Sequence, residues 1–243
     1  AAAQRLAGAA AGEDAALPDL RGALLNASRA EDRAQAAGRL ADVGDIAAIP
    51  LLRLSFAGDI AAGVRDASGR ALGRLGDADS VESFCAALYR RDDDREAART
   101  AAYALGYLGD VRAVDALVAA YEAGWLPDVI ADALGALGGA ALPLLVDTAL
   151  RNPELMKRST ARRVFDQLAA GVLEPVLVAR ITEIALAADF VARASVLLDI
   201  VKDRAELTRT IGAHILRVRP ELRSATSRQD RALVRRADAR ATS

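Results

Sequence analysis

In 243 residues the chain has one cysteine, Cys85, one histidine, His214, one tryptophan, Trp125, and two lysines, Lys157 and Lys202. Each scarcity removes a class of chemistry. A single cysteine cannot close an intramolecular disulfide, which points to a reducing, cytoplasmic setting. One histidine and one cysteine cannot build a nitrogen- and sulfur-rich metal site, so no metal and no cofactor is expected. A Ser-His-Asp or Cys-His arrangement would have to use His214, which lies in the apolar stretch 211–218 and reads better as a packed or surface side chain. No Gly-x-x-x-x-Gly-Lys-Ser/Thr run occurs, and no Gly-x-Gly-x-x-Gly on a strand. The expectation is a chain that is not an enzyme.

Long apolar runs are also missing. The stretch from Ala133 to Val146 is too short to span a bilayer and is interrupted by Gly135, Gly138, Gly139 and Pro143. Ala1 to Gly12 lacks the basic and leucine-rich parts of a signal peptide. The formal net charge is −1, so no whole-molecule field draws nucleic acid or membrane. What is abundant is Ala, Leu, Val and Arg. The apolar share is 53% although aromatics reach only 4%, which favours closely packed helices, and the Arg-over-Lys bias suggests a bacterial source.

The abundant residues are arranged periodically. Val43-Gly44-Asp45, Leu75-Gly76-Asp77 and Leu108-Gly109-Asp110 repeat one signature, with a degenerate copy at Leu137-Gly138-Gly139 and fainter ones at Gly12-Glu13, Gly171 and Lys202-Asp203. The spacing stays between 29 and 33 residues throughout. Each unit reads as two helices. The first carries apolar residues at helical spacing, as in Ala101, Ala104, Leu105 and Leu108. Glycine ends it in a left-handed turn, and the following Asp is placed to cap the second helix. Pro18, Pro50 and Pro143 fall in the first turn of second helices, where proline is tolerated. One hairpin cannot bury both apolar faces, but stacked neighbours can.

The runs at 65–77 and 99–110, of the form Arg-x-x-Ala-x-x-Ala-Leu-Gly-x-Leu-Gly-Asp, resemble bacterial HEAT repeats of the type also found in phycobilisome lyases. The resemblance covers roughly 32–150 most closely. It implies an all-α, right-handed α-solenoid of about seven HEAT-like helical hairpins, with the second helices lining a concave surface. Residues 1–219 read as this solenoid and 220–243 as an Arg-rich C-terminal tail, with one helix over about 228–240.

Candidate binding residues follow from departures from the repeat. Arg53 stands nine residues after Gly44, at an offset that holds Cys85 and Val118 in the next two units, so it must snorkel, pair with a carboxylate, or face a partner. Trp125, in Gly124-Trp-Leu-Pro127, replaces a charged loop and is a candidate anchor or a plug over a hairpin end. Lys157, Arg158, Arg162 and Arg163 form one basic cluster, and the tail, with Arg235 and Arg236, forms another. These are solvated faces, or contacts to phosphates or to an acidic partner. The acidic run Asp92-Asp93-Asp94 reads as an exposed loop rather than a calcium loop, because alternating ligands and a turn glycine are missing. HEAT-repeat deoxyhypusine hydroxylases bind iron through His-Glu pairs, which this chain lacks, and bacterial HEAT-like DNA glycosylases are similar in architecture only. The favoured reading is a protein-protein interaction scaffold or adaptor, part of a larger complex. The alternatives are a nucleic-acid-binding solenoid and a lyase- or chaperone-like helper of a cofactor-bearing protein.

Overall fold

The computed structural model describes residues 17–89, 95–224 and 227–238, and every regular element among them is helical. The signature Gly12-Glu13 and the run Asp92-Asp93-Asp94 lie outside the described residues. The chain divides into two compact units, 1–117 and 118–243.

The first unit is built from helices α1 (17–26), α2 (Ala30–Asp42), α3 (Ile49–Gly58), α4 (Ala62–Arg74), α5 (Val81–Tyr89) and α6 (Arg95–Leu108), with α7 (Val114–Glu122) holding the boundary. The first helices α2, α4 and α6 lie side by side, and α3 and α5 each pack against the first helix of the following repeat. The small residues of the first helices allow this. A Cβ built on Gly73 of α4 would stand 2.9 Å from the Ala104 Cα, and one on Gly69 would meet Thr100 and Phe56. Leu40, Leu72 and Leu105 occupy one register position in three successive repeats and are fully buried. Each such leucine contributes about 2 kcal/mol through removal from water.

The turns show why the signature recurs. Gly44, Gly76, Gly109 and Gly138 all adopt positive φ, between 58° and 73°. Gly44 N–H donates to the Ala41 carbonyl and Asp45 N–H to the Leu40 carbonyl; Gly76 and Asp77 repeat the pattern onto Gly73 and Leu72. This is the paired hydrogen bonding of a glycine-terminated helix, in which the residue after glycine reaches back across the turn. The Asp is therefore fixed first by its backbone. A single 3₁₀ turn follows, and only then the second helix, with Pro50 in the first turn of α3 and Pro143 in the first turn of α9 (Leu142–Arg151). Asp110 caps as expected, accepting from Arg112 N–H at 2.9 Å. At Asp45 and Asp77 capping is only part of the role: no well-formed side-chain cap bond is present, turn amides (Ala47 and Ala48; Asp79) still favour the carboxylates, and arginines of the preceding repeat grip both.

The second unit continues with α8 (Pro127–Leu137), α9, α10 (Ser159–Gln167), α11 (Ala170–Glu183), α12 (Phe190–Val201), α13 (Ala205–Val218) and α14 (Arg228–Ala237). Its repeats are less regular. Gly171 lies in the first turn of α11 and ends no helix, which corrects the faint signature assigned to it. Instead Gly124, at φ 73°, ends α7, and Trp125 N–H donates back to the Ala120 carbonyl. The segment expected to be a basic tail is docked where it is described: α14 packs on α12 and α13, with Leu233 and Ala237 buried. A Cβ on Gly212 would come within 2.3 Å of the Ala237 carbonyl oxygen, so glycine there is what lets α14 seat.

Candidate functional site: a groove between second helices

Close packing of the first-helix layer leaves the second helices α3 and α5 apart, and a groove of about 1020 Å³ opens between them. Pro50, Arg53, Leu54, Phe56 and Ala57 line it from α3, and Ser80, Ser83, Ala86 and Ala87 from the α5 side. Arg65 and Ala97 line it from the starts of α4 and α6. Phe56 packs edge-to-face on the buried Phe84, with ring centroids 4.9 Å apart. Leu54 projects from the α3 wall and is 67% exposed, a high value for a leucine in the middle of a helix. Ala57, Ser83 and Ala86 are exposed as well, so the groove is open along its length.

Charge is organised by rungs between repeats. Arg21 donates from Nε and Nη2 to both carboxylate oxygens of Asp45, at 2.7 and 2.6 Å. Arg53 grips Asp77 in the same two-pronged way, 2.8 Å from Nε, and reaches Asp79 at 3.0 Å. Within one repeat, Arg33 on the first helix grips Asp59 at the end of the second helix in the same way, at 2.8 and 2.9 Å. Asp77 is buried, and burial opposes its ionisation; hydrogen bonds from Arg53 and Ser80 outweigh that and hold its carboxyl below the usual range. Asp45 and Asp59 are lowered chiefly by their arginine hydrogen bonds. Arg53 thus spans the groove wall already paired with carboxylates.

The ladder stops at the next repeat. Cys85 stands where Arg21 and Arg53 stand, and Asp110 is served by Arg112 beside it. Cys85 is half-buried, and burial pushes its thiol up, with Asp110 and Glu82 adding and Arg112 opposing. It is a weak nucleophile in this setting.

The other sequence candidates lie in the second unit. The Arg158 guanidinium covers Gly124, and a Cβ there would be 2.6 Å from its Nη1, so Arg158 and the Trp125 turn are brought together. Leu126, between them and Pro127, holds a left-handed backbone at φ 39°, a strained state for a branched residue. Arg162 and Arg163 stand near the start of α10, where a helix dipole disfavours cations. Arg162 is paired with Asp203, and Arg163 with Asp128 and Asp132. In α14, Arg236 donates to Asp199 at 2.6 Å, while Arg235 donates only to the Arg231 carbonyl. His214 is buried between Thr182, 3.1 Å from Nε2, and Arg217; burial and then Arg217 hold its pKa below the ordinary value.

Sequence reasoning found Arg53 but missed its partner and its counterpart. Arg21 sits nine residues after Gly12, as Arg53 sits nine after Gly44, and that coincidence would have exposed the ladder. Leu54 and the serines of the groove left no signal, since an apolar residue in a helix is read as core by default.

Residues 57–138 match the family model described as HEAT repeats, which bears out the resemblance read from the Gly-Asp runs. No curated protein sequence matches the chain. Among solved structures, a chain of the complex of CpcE and CpcF of phycocyanin lyase from Nostoc sp. PCC7120 is similar at 21% identity and a TM-score of 0.48, over 90% of this chain and 92% of that one.

Proposed function

We propose that this HEAT-repeat chain is a non-catalytic cytoplasmic scaffold that receives a helix or extended segment of a partner protein in the groove between α3 and α5. The observation that carries the reading is the groove itself: two neighbouring second helices held apart, an exposed Leu54 on one wall, and an alanine-rich opposite wall. A trough between neighbouring helices suits a third helix, which lays its apolar face into such a channel and is anchored by a few side chains. Arg53, Arg65, Asp79 and Ser83 supply a polar rim that fixes register. Pairing of Arg162 and Arg163 with acids favours this over a nucleic-acid surface, because phosphate binding draws on cations free to replace counterions. Arg235 remains available, as a second contact described below.

The test is co-purification from native lysate with low- and high-salt washes, comparing the natural chain with Leu54→Glu. The scaffold reading expects a discrete protein that survives high salt and is lost with Leu54→Glu, while circular dichroism and Tm stay unchanged. Recovery of nucleic acid that high salt removes and Leu54→Glu spares would move the function to the arginine clusters. A bilin added to the purified chain tests the helper alternative: a spectral change would support it.

A further inference from the structure

Beyond the groove, the geometry points to a second docking surface: the outer face of α14 is a seat for an acidic helix of a partner protein. Arg228, Arg231 and Arg235 are exposed along one face of α14, and the exposed Ala232 lies in the middle of them. Seven residues of helix place the outer two arginines about 10 Å apart along the axis. The inner face is committed to the fold through Leu233, Ala237 and the Arg236–Asp199 pair.

What marks this stripe is that three arginines without a carboxylate share one face of one helix, whereas other described arginines without one, such as Arg39, Arg209 and Arg223, are scattered over different elements. Arg21, Arg33, Arg53, Arg162, Arg163 and Arg236 all hold carboxylates. Among the described residues no carboxylate is within ion-pair reach of Arg228, Arg231 or Arg235, and the one side-chain bond among the three is Arg235 Nε to the Arg231 carbonyl at 3.3 Å. Arg228 also stands at the first position of the helix, against its dipole. Three exposed cations on one face, none held by a carboxylate, are free to engage an anionic partner without breaking an existing pair.

The shape selects the partner's chemistry. Alanine framed by arginines lets another backbone approach closely while the guanidinium groups reach past it, which suits a helix bearing Glu or Asp at three- and four-residue spacing. A nucleic-acid strand is the poorer fit. The face of α14 carries no aromatic platform for bases, and Asp230 and Asp238 stand near its two ends, where a continuing phosphate backbone would meet them.

The test uses the full chain and a fluorescein-labelled helical peptide with Glu at four-residue spacing, read by anisotropy at low and physiological salt. Salt-sensitive binding that falls at least tenfold in Arg231→Glu/Arg235→Glu, and recovers with a peptide carrying Lys in place of Glu, establishes the surface. Arg231→Gln/Arg235→Gln, with circular dichroism, guards against loss of α14 and is expected to give an intermediate loss. Binding that is indifferent to both double variants overturns the inference. So does failure of the peptide where a single-stranded oligonucleotide or a phosphatidylserine vesicle binds. Leu54→Glu is expected to leave peptide binding unchanged, so this surface and the groove succeed or fail separately.

Discussion

The two units solve one problem in two ways. In the first, successive repeats are joined by arginine-carboxylate rungs that keep the repeat's own step: Arg21 to Asp45, then Arg53 to Asp77. The rungs already end at Cys85, before the second unit, and in that unit Asp has also been lost from the Gly-Asp signature at 138–139. Arg163 reaches Asp128 and Asp132, Arg162 reaches Asp203, and Arg204 donates to the carbonyls of Phe165, Asp166 and Leu168 at the end of α10. Arg219 likewise donates to the Ala185 carbonyl. Free carbonyls at helix ends are acceptors that any repeat offers whatever its sequence, so stacking survives where the motif decays. The regular rungs do something the irregular clamps do not: they fix the second helices at a constant offset, and the large groove lies beside the Arg53–Asp77 rung.

The first-helix layer is where a single substitution has the largest effect. Gly73→Val should destabilise the first unit by about 2–3 kcal/mol, since the new side chain meets the backbone of α6 rather than a movable side chain; urea unfolding checks it. Next is the rung itself. Arg53→Ala leaves Asp77 buried with only Ser80 and the Asp79 backbone amide and should cost about 2 kcal/mol, discounted for the partial exposure of Arg53. Acid provides the same test without mutation. Asp45, Asp59 and Asp77 have carboxyls lowered by folding, so their contribution is full above the ordinary Asp range and is lost as pH falls below about 4. Arg53→Ala should flatten that acid limb. His214 acts in a separate window. Its pKa is lowered by burial, so the unfolded chain takes up a proton first and stability begins to fall below about pH 6.5.

Two smaller effects sharpen the contrast. Cys85→Arg restores the missing rung toward Asp110 and should raise Tm by roughly 2 °C, whereas Cys85→Ala should not. Leu126→Gly relieves the left-handed strain before Pro127 and should stabilise the second unit by about 0.5–1 kcal/mol, partly offset by glycine's greater freedom when unfolded; thermal melts decide both.

Much of this fold is legible in the sequence because glycine is the residue that most readily ends a helix in the left-handed region. Gly44, Gly76, Gly109 and Gly138 therefore mark the turns directly, and Leu40, Leu72 and Leu105 fall into register around them. Gly171 misled for the same reason in reverse: a glycine in a helix's first turn looks no different in sequence from one that ends a helix. Asp was read locally, as a cap, because capping is a contact within a few residues. At Asp110 that reading holds, but at Asp45 and Asp77 the main partner is an arginine 24 residues upstream, in the previous repeat, and only stacking brings it near. The groove was harder still. Whether Leu54 is core or exposed depends on how far α5 stands from α3, and that spacing belongs to the stacking of repeats, not to the sequence of α3.

A partner protein lying in the groove between α3 and α5 would be within reach of a probe placed on the groove wall. The most direct measurement is photo-crosslinking in native lysate from a benzophenone amino acid placed at Ala86 in the groove, with the same probe at Arg74 on the exposed side of the first-helix layer as reference. One discrete protein captured at Ala86, absent at Arg74 and lost when Leu54→Glu is added, is the expected result. Equal capture at both positions, or capture at Ala86 that Leu54→Glu leaves intact, would contradict it.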